Sequence, residues 1–175
     1  MIKKGDSLPS NCVFAMRDEE NTKGFRYNNT GSDDLFKNKR VIIFGLPGAF
    51  TPTCSKSQLP AYERRFDEFQ SHGIDDIYCC SVNDTFVMEA WRKVKGVKKV
   101  KMLPDGSGIF TQEVGALVSK DNIGMGQRSW RYALIVNDMR IEEVFAEEGM
   151  ADNVPDDPYE NSNPSRVMAH LRGIL

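Results

Sequence analysis

The sequence predicts a three-layer α/β domain, and three observations carry that reading. Short apolar runs of strand length recur at Val41–Phe44, Ile77–Val82 and Tyr132–Val136. Longer stretches with apolar residues three and four positions apart follow the first and second of these runs. Clusters of glycine, proline, asparagine and aspartate punctuate the junctions. Strands that alternate with amphipathic helices bury a sheet between helical layers.

The 175 residues are enough for one domain with its own core, expected to span residues 1–175. A composition of 40% hydrophobic and 27% charged residues is that of an ordinary soluble globule. The net charge is −2 with both signs mixed along the chain, which gives no electrostatic case for nucleic acid or an anionic membrane as partner. Met1-Ile2-Lys3-Lys4 leads into polar sequence without an apolar stretch, and no run approaches transmembrane length. A cytoplasmic location is therefore expected, although a removed transit peptide would leave no trace in the chain.

Taken in order, residues 1 to 40 mix short apolar stretches such as Cys12-Val13-Phe14 with polar turns at Arg17–Asn21 and Tyr27–Asp34. Peripheral strands or a hairpin are expected there, followed by a helical turn at Asp34–Lys37, with Cys12 as packing. Val41–Phe44 reads as a buried strand, with Gly45, Pro47 and Gly48 as turn material. From Ser55 to about Ser71, Leu59, Tyr62, Phe66 and Phe69 mark an amphipathic helix that Pro60 should kink. Gly73 ends it, and Ile77–Val82 reads as a strand parallel to the first, reached by a right-handed crossover. Adjacent Cys79 and Cys80 would then face opposite sides of the sheet.

Asn83-Asp84 can cap a second helix, with Phe86, Val87, Ala90, Trp91 and Val94 on or near its apolar side. Val100–Leu103 leaves room for a short strand, Ile109–Val118 reads as a short helix, and Lys120–Ser129 as an irregular loop. Tyr132–Val136 and Arg140–Phe145 form a hairpin around Asn137-Asp138-Met139. Glu147–Asn163, acidic and proline-bearing, reads as an exposed loop, and Asn163–Leu171 as a closing helix begun near Pro164.

One cysteine stands out by position. Cys54 follows the strand and turn at what reads as a helix start, and Pro52 suits the first helical turn, where a missing N–H costs nothing. Unpaired N–H groups and the helix dipole stabilise a thiolate, and the thiolate is the reactive form of cysteine. The competing reading is a buried structural cysteine. The four cysteines, at 12, 54, 79 and 80, show no Cys-x-x-Cys and no zinc spacing, so no metal and no bound cofactor are expected. His72 and His170 lie far apart in contexts that read as surface, and neither sits in a recognisable partner motif for a cysteine hydrolase.

Pro47, Thr51 and Cys54 fit the Pro-x-x-x-Thr-x-x-Cys motif of peroxiredoxins, and the block Pro47–Cys54 is similar to the five-type, or type II, branch. Ser81–Trp91, Pro104-Asp105-Gly106 and Trp130-Arg131-Tyr132 extend the resemblance over nearly the whole chain. It implies a thioredoxin-like fold with a central mixed sheet flanked by helices. It also implies a thiol peroxidase that reduces hydrogen peroxide and alkyl hydroperoxides, serves antioxidant defence and forms a homodimer. Phe50, Phe86 and Trp91 are candidates for an apolar contact patch or for core.

In that chemistry Cys54 is the nucleophile and becomes a sulfenic acid. Thr51 can place its hydroxyl beside sulfur and substrate. Pro47 shapes the pocket. The resemblance puts the cation at the start of the strand after the long loop, which points to Arg131, with Arg128 as the rival. Many five-type members resolve the oxidised cysteine with a second one before the last helix, and Glu147–Asn163 contains none. Cys79, 25 positions after Cys54, matches the spacing of plant-type members but reads as strand-buried. A one-cysteine cycle recycled by glutathione, glutaredoxin or thioredoxin is the expectation. Within it, similarity to the peroxiredoxin half of bacterial peroxiredoxin-glutaredoxin fusions favours glutathione and glutaredoxin. The alternative is a peroxide-sensing module of low turnover.

Overall fold

The structure is a computed structural model that describes residues 1–18 and 26–175. Val13–Arg17 (β1) and Tyr27–Gly31 (β2) pair antiparallel as a separate ribbon, followed by the short helix Ser32–Phe36 (α1). Tyr27–Gly31 is thus a strand where a polar turn is expected. Its side chains are largely exposed, so an edge strand there carries no apolar pattern. The turn expected at Arg17–Asn21 runs into residues outside the described ones.

Arg40–Gly45 (β3) is the centre of a five-stranded sheet and is buried almost throughout, which is why it reads as an unbroken apolar run. It pairs in parallel with Asp76–Ser81 (β4), as expected. On its other side it pairs antiparallel with Tyr132–Asn137 (β8). Lys101–Pro104 (β5) extends the parallel half beyond β4, and Arg140–Ala146 (β9) closes the antiparallel half, giving the order β5-β4-β3-β8-β9. Asp138 and Met139, both with positive φ (45° and 66°), turn the β8–β9 hairpin where it is predicted.

The crossover from β3 to β4 is helical from Pro52 but not regular. Cys54–Gln58 form a π-helical turn, in which the Leu59 N–H reaches back to the Cys54 carbonyl. Leu59–Arg64 (α2) and Phe66–Gln70 (α3) follow, separated by Arg65 at φ −99° and ψ 7°. Pro60 has no N–H to return to the preceding turn, so the irregularity it imposes is absorbed in a widened turn just ahead of it. Leu59, Tyr62, Phe66 and Phe69 face the sheet as expected, and Tyr62 stacks on Phe44 with centroids 4.1 Å apart.

Thr85–Lys95 (α4) is capped by Asp84, whose carboxylate accepts the Val87 N–H at 2.9 Å. Its buried face matches the expected one only in part: Trp91 is inside as expected, together with Thr85, Met88 and Glu89, whereas Phe86, Ala90 and Val94 are exposed. Glu89 is tolerated inside because Arg92 grips it with two hydrogen bonds (2.7 and 2.9 Å) and Arg17 stands at 3.5 Å. Ile109–Glu113 (α5) is shorter than expected. Gly115 interrupts it at φ +72°, where a Cβ would lie 2.8 Å from the Met1 Cα. Leu117–Ser119 (β6) then pairs with Gln127–Ser129 (β7), a two-stranded ribbon inside what reads as helix end and loop. Pro164–Leu171 (α6) begins at the expected proline, with Asn163 accepting the Arg166 N–H at 3.0 Å.

The alternation of side chains along the sheet sorts the core into two layers. Ile42, Phe44, Cys54, Cys79 and Ile135 pack with α2, α3, α4 and α6 on one face. Val41, Ile43, Cys80, Tyr132 and Leu134 pack with α1, α5 and β1 on the other. Cys79 and Cys80 therefore face opposite layers, as the strand period requires.

Candidate active site

The turn after β3 is shaped by close packing. A Cβ on Gly45 would lie 2.2 Å from Cε1 of Tyr132, its cross-strand neighbour, so only glycine lets that ring cover the strand end. Leu46 N–H donates to the Cys80 carbonyl (3.2 Å), and Pro47 and Gly48 are buried in the bend. Ala49 N–H donates to the Asn83 side chain at 3.0 Å, which ties the bend to the start of α4. Phe50 takes a positive φ of 64° and stands 52% exposed. The helix opens at Pro52, and Ser55 N–H closes its first turn on the Thr51 carbonyl at 3.0 Å. Cys54 thus lies in the first turn, where backbone N–H groups lack intrahelical acceptors, and its sulfur is fully buried.

Arg131 reaches that sulfur from the residue before β8. Its Nη1 lies 3.4 Å from Cys54 Sγ and donates to Gln58 Oε1 at 2.5 Å. Its Nη2 donates to the Asp157 carboxylate, and the Tyr159 ring lies 5.7 Å from the guanidinium carbon. The side chain is 1% exposed. Burial works against its charge, but Cys54 and Asp157 outweigh that and hold its pKa above the usual arginine value. Arg128 is engaged elsewhere. Its Nε donates to the Met125 carbonyl (2.9 Å) and its Nη1 to the Val82 carbonyl (3.0 Å). It packs against Gly48, where a Cβ would lie 3.5 Å from that Nη1, so it supports the bend and does not meet the sulfur.

Thr51 stands where the motif puts it, but its hydroxyl proton goes to the Gly48 carbonyl at 2.8 Å. A hydroxyl that donates to a carbonyl offers its lone pairs as acceptors. Trp91 is buried, with its Nε1 on Ser55 Oγ at 3.0 Å, so it belongs to the core and not to an exposed contact patch. Phe86, at 60% exposure, does stand on the surface.

Cys79 lies in the same layer as Cys54. Burial first, then Cys80 and Cys54, push its thiol pKa well up. Burial likewise raises Cys80, and lifts Cys12 to about 11 with help from Asp105 and Glu113. These three thiols stay protonated, and protonated thiols are poor nucleophiles.

Four contributors to the site are missing from the sequence reading. Gln58 lies one turn beyond Cys54, a helical spacing that could have identified it. Asp157, Tyr159 and Glu147 lie in the segment expected to be an exposed loop, and part of that segment is pinned inside. Glu147 is 4% exposed and accepts the backbone N–H groups of Glu160, Asn161 and Ser162 as well as the Ser162 hydroxyl, at 2.7 to 3.1 Å. Burial opposes its charge, but these donors prevail and lower its pKa. Tyr62 donates to the Ser162 carbonyl at 2.6 Å, so the loop is fastened to α2.

Residues 3–161 match the profile of the Redoxin family. A peroxiredoxin of Sinorhizobium fredii is 52% identical over 164 residues, covering 91% of this chain and 87% of that protein. A hybrid peroxiredoxin of Haemophilus influenzae is 43% identical over 85% of this chain and 60% of its own length. Among solved structures, the 1-Cys peroxiredoxin antioxidant protein of Plasmodium falciparum superposes with a TM-score of 0.92 at 33% identity, covering 97% of this chain and 99% of that one. The five-stranded mixed sheet flanked by helices is the expected thioredoxin-like fold. The chain belongs to the Redoxin family as a peroxiredoxin of the five-type branch, an antioxidant thiol peroxidase.

Proposed function

We propose that Cys54 is the peroxidatic nucleophile and that the single observation carrying this is Arg131 Nη1, 3.4 Å from its sulfur in a buried site. The thiolate attacks one peroxide oxygen, the S–O bond forms as the O–O bond breaks, and the departing oxygen takes a proton to leave as water or an alcohol. The product is a sulfenic acid. Arg131 stabilises charge that develops across the reacting atoms. Thr51 accepts a hydrogen bond from the peroxide. Pro47 walls the sulfur from bulk water. Hydrogen peroxide and alkyl hydroperoxides are the substrates.

Recycling runs through an external thiol. The segment 147–163 carries no cysteine. Cys79 is fully buried in β4, hydrogen-bonded between β3 and β5, and burial holds its thiol protonated, which makes it a poor resolving nucleophile. The likeness to a 1-Cys peroxiredoxin supports a one-cysteine cycle, and the likeness to a hybrid peroxiredoxin supports glutathione with glutaredoxin over thioredoxin. No resident cofactor takes part. The protein works in the cytoplasm as a homodimer, and exposed Phe50 and Phe86 suit a contact surface.

The test is steady-state peroxide consumption with glutathione plus glutaredoxin set against thioredoxin. Sustained turnover with the first pair is expected, and turnover with thioredoxin alone would move the reductant. A single turnover with every donor would favour a sensor.

A further inference from the structure

The guanidinium that meets Cys54 is held at both ends. Nη1 addresses Cys54 and Gln58 on the π-helical turn, and Nη2 addresses Asp157 on the loop before α6. Nε is buried without a partner, so these contacts at the far end are what define the tilt of the plane. Gln58 is neutral and Asp157 is the carboxylate that pairs with Arg131. Asp157 itself is 43% exposed, but the loop around it is anchored. Tyr159 lies over the guanidinium, and Ser162 is tied to Glu147 and to Tyr62.

The reaction changes the charge on one side of this cation only. A thiolate becomes a neutral sulfenic acid, so Arg131 loses the sulfur as counter-ion while remaining buried. A buried cation left unpaired is strongly unfavourable. Asp157 takes no part in the covalent step, so its contact with Nη2 does not depend on the state of the sulfur.

Building on the reading of Cys54 and Arg131 above, we propose that Asp157 is a positioning residue. It aims the Arg131 guanidinium at the Cys54 sulfur and retains it there once the sulfur is oxidised. It touches neither sulfur nor peroxide, and acts through Arg131 alone.

The experiment is a double-mutant cycle on the bimolecular rate constant for oxidation of Cys54 by hydrogen peroxide. A displacement of a reacting group by about an ångström costs up to about a hundredfold, so Asp157→Ala should lower the rate by about tenfold to a hundredfold. In an Arg131→Met background the same change should lower it no further, because the group it aims is gone. Should Asp157→Ala fold poorly, Asp157→Asn carries the same comparison with the side-chain shape preserved. A rate unchanged by Asp157→Ala while Arg131→Met is damaging would overturn the proposal and leave the catalytic reading standing. An equal loss in both backgrounds would also overturn it, since Asp157 would then act through the fold at large. If Arg131→Met itself were silent, the reading of the site would fail first and this proposal with it.

Discussion

Two segments converge on the Arg131 guanidinium, and they are built on different principles. The one from Gly45 to Gln58 is local: strand end, bend and helix start are consecutive, and each residue's role follows from its neighbours. The one from Glu147 to Asn163 has no regular structure, and a buried carboxylate organises it by gathering backbone donors thirteen to fifteen positions away. The first segment supplies the sulfur and the second supplies the counter-charge. Reactivity is thus carried by a spacing motif, whereas its alignment depends on long-range contacts that leave no pattern in the sequence.

The largest effect should come from the local segment. Cys54→Ser should abolish peroxide reduction, measured as thiol-dependent peroxide loss, while Cys80→Ala, on the far face of the sheet, should leave the rate essentially intact. Activity surviving Cys54→Ser would remove the local half of the comparison.

A smaller but informative effect is expected from the loop. Glu147→Gln sets an amide N–H₂ against donors that now meet a carboxylate. Leaving such buried groups badly paired costs about 1–3 kcal/mol. For a domain of this size each kcal/mol lowers the melting temperature by about 2–4 °C, so calorimetry should show a fall of several degrees. The peroxide rate should drop modestly as Asp157 loses its anchor.

The acid limb gives a finer test. The Glu147 pKa is lower in the folded chain than the ordinary carboxylate value, so its contribution to stability is fully present above the ordinary range, roughly pH 4.3 and up. It is lost as the pH falls through the folded value. Melting temperatures taken from pH 6 downward should therefore converge between the parent and Glu147→Gln. A constant gap across the acid range would mean that Glu147 holds the loop by shape and not by charge.

The limits of legibility follow the same division. The α/β alternation, the β3–β4 crossover, the β8–β9 hairpin and the Pro52–Cys54 helix start could be read because they rest on near-neighbour periodicity. The apolar face of α4 is legible only at Trp91, because Glu89 is buried in an ion pair with Arg92 while Phe86 and Val94 point outward. Arg131 and Arg128 differ by three positions, and local sequence does not separate them. The separation comes from β7, which directs Arg128 to two carbonyls, and from β8, which begins one residue after Arg131. Gln58 was within reach of helical spacing. Asp157 was not, because its partner Arg131 lies 26 positions away in the chain and nothing near Asp157 marks it.

The most direct test of the central claim is the bimolecular rate constant of Cys54 with hydrogen peroxide, measured side by side in the parent, Arg131→Met and Arg128→Met. Loss of one charge-stabilising donor costs about a hundredfold to a thousandfold, and that loss is predicted for Arg131→Met with the melting temperature little changed. Arg128→Met should cost far less, through loosening of the bend at Gly48. A silent Arg131→Met beside a damaging Arg128→Met would contradict the account.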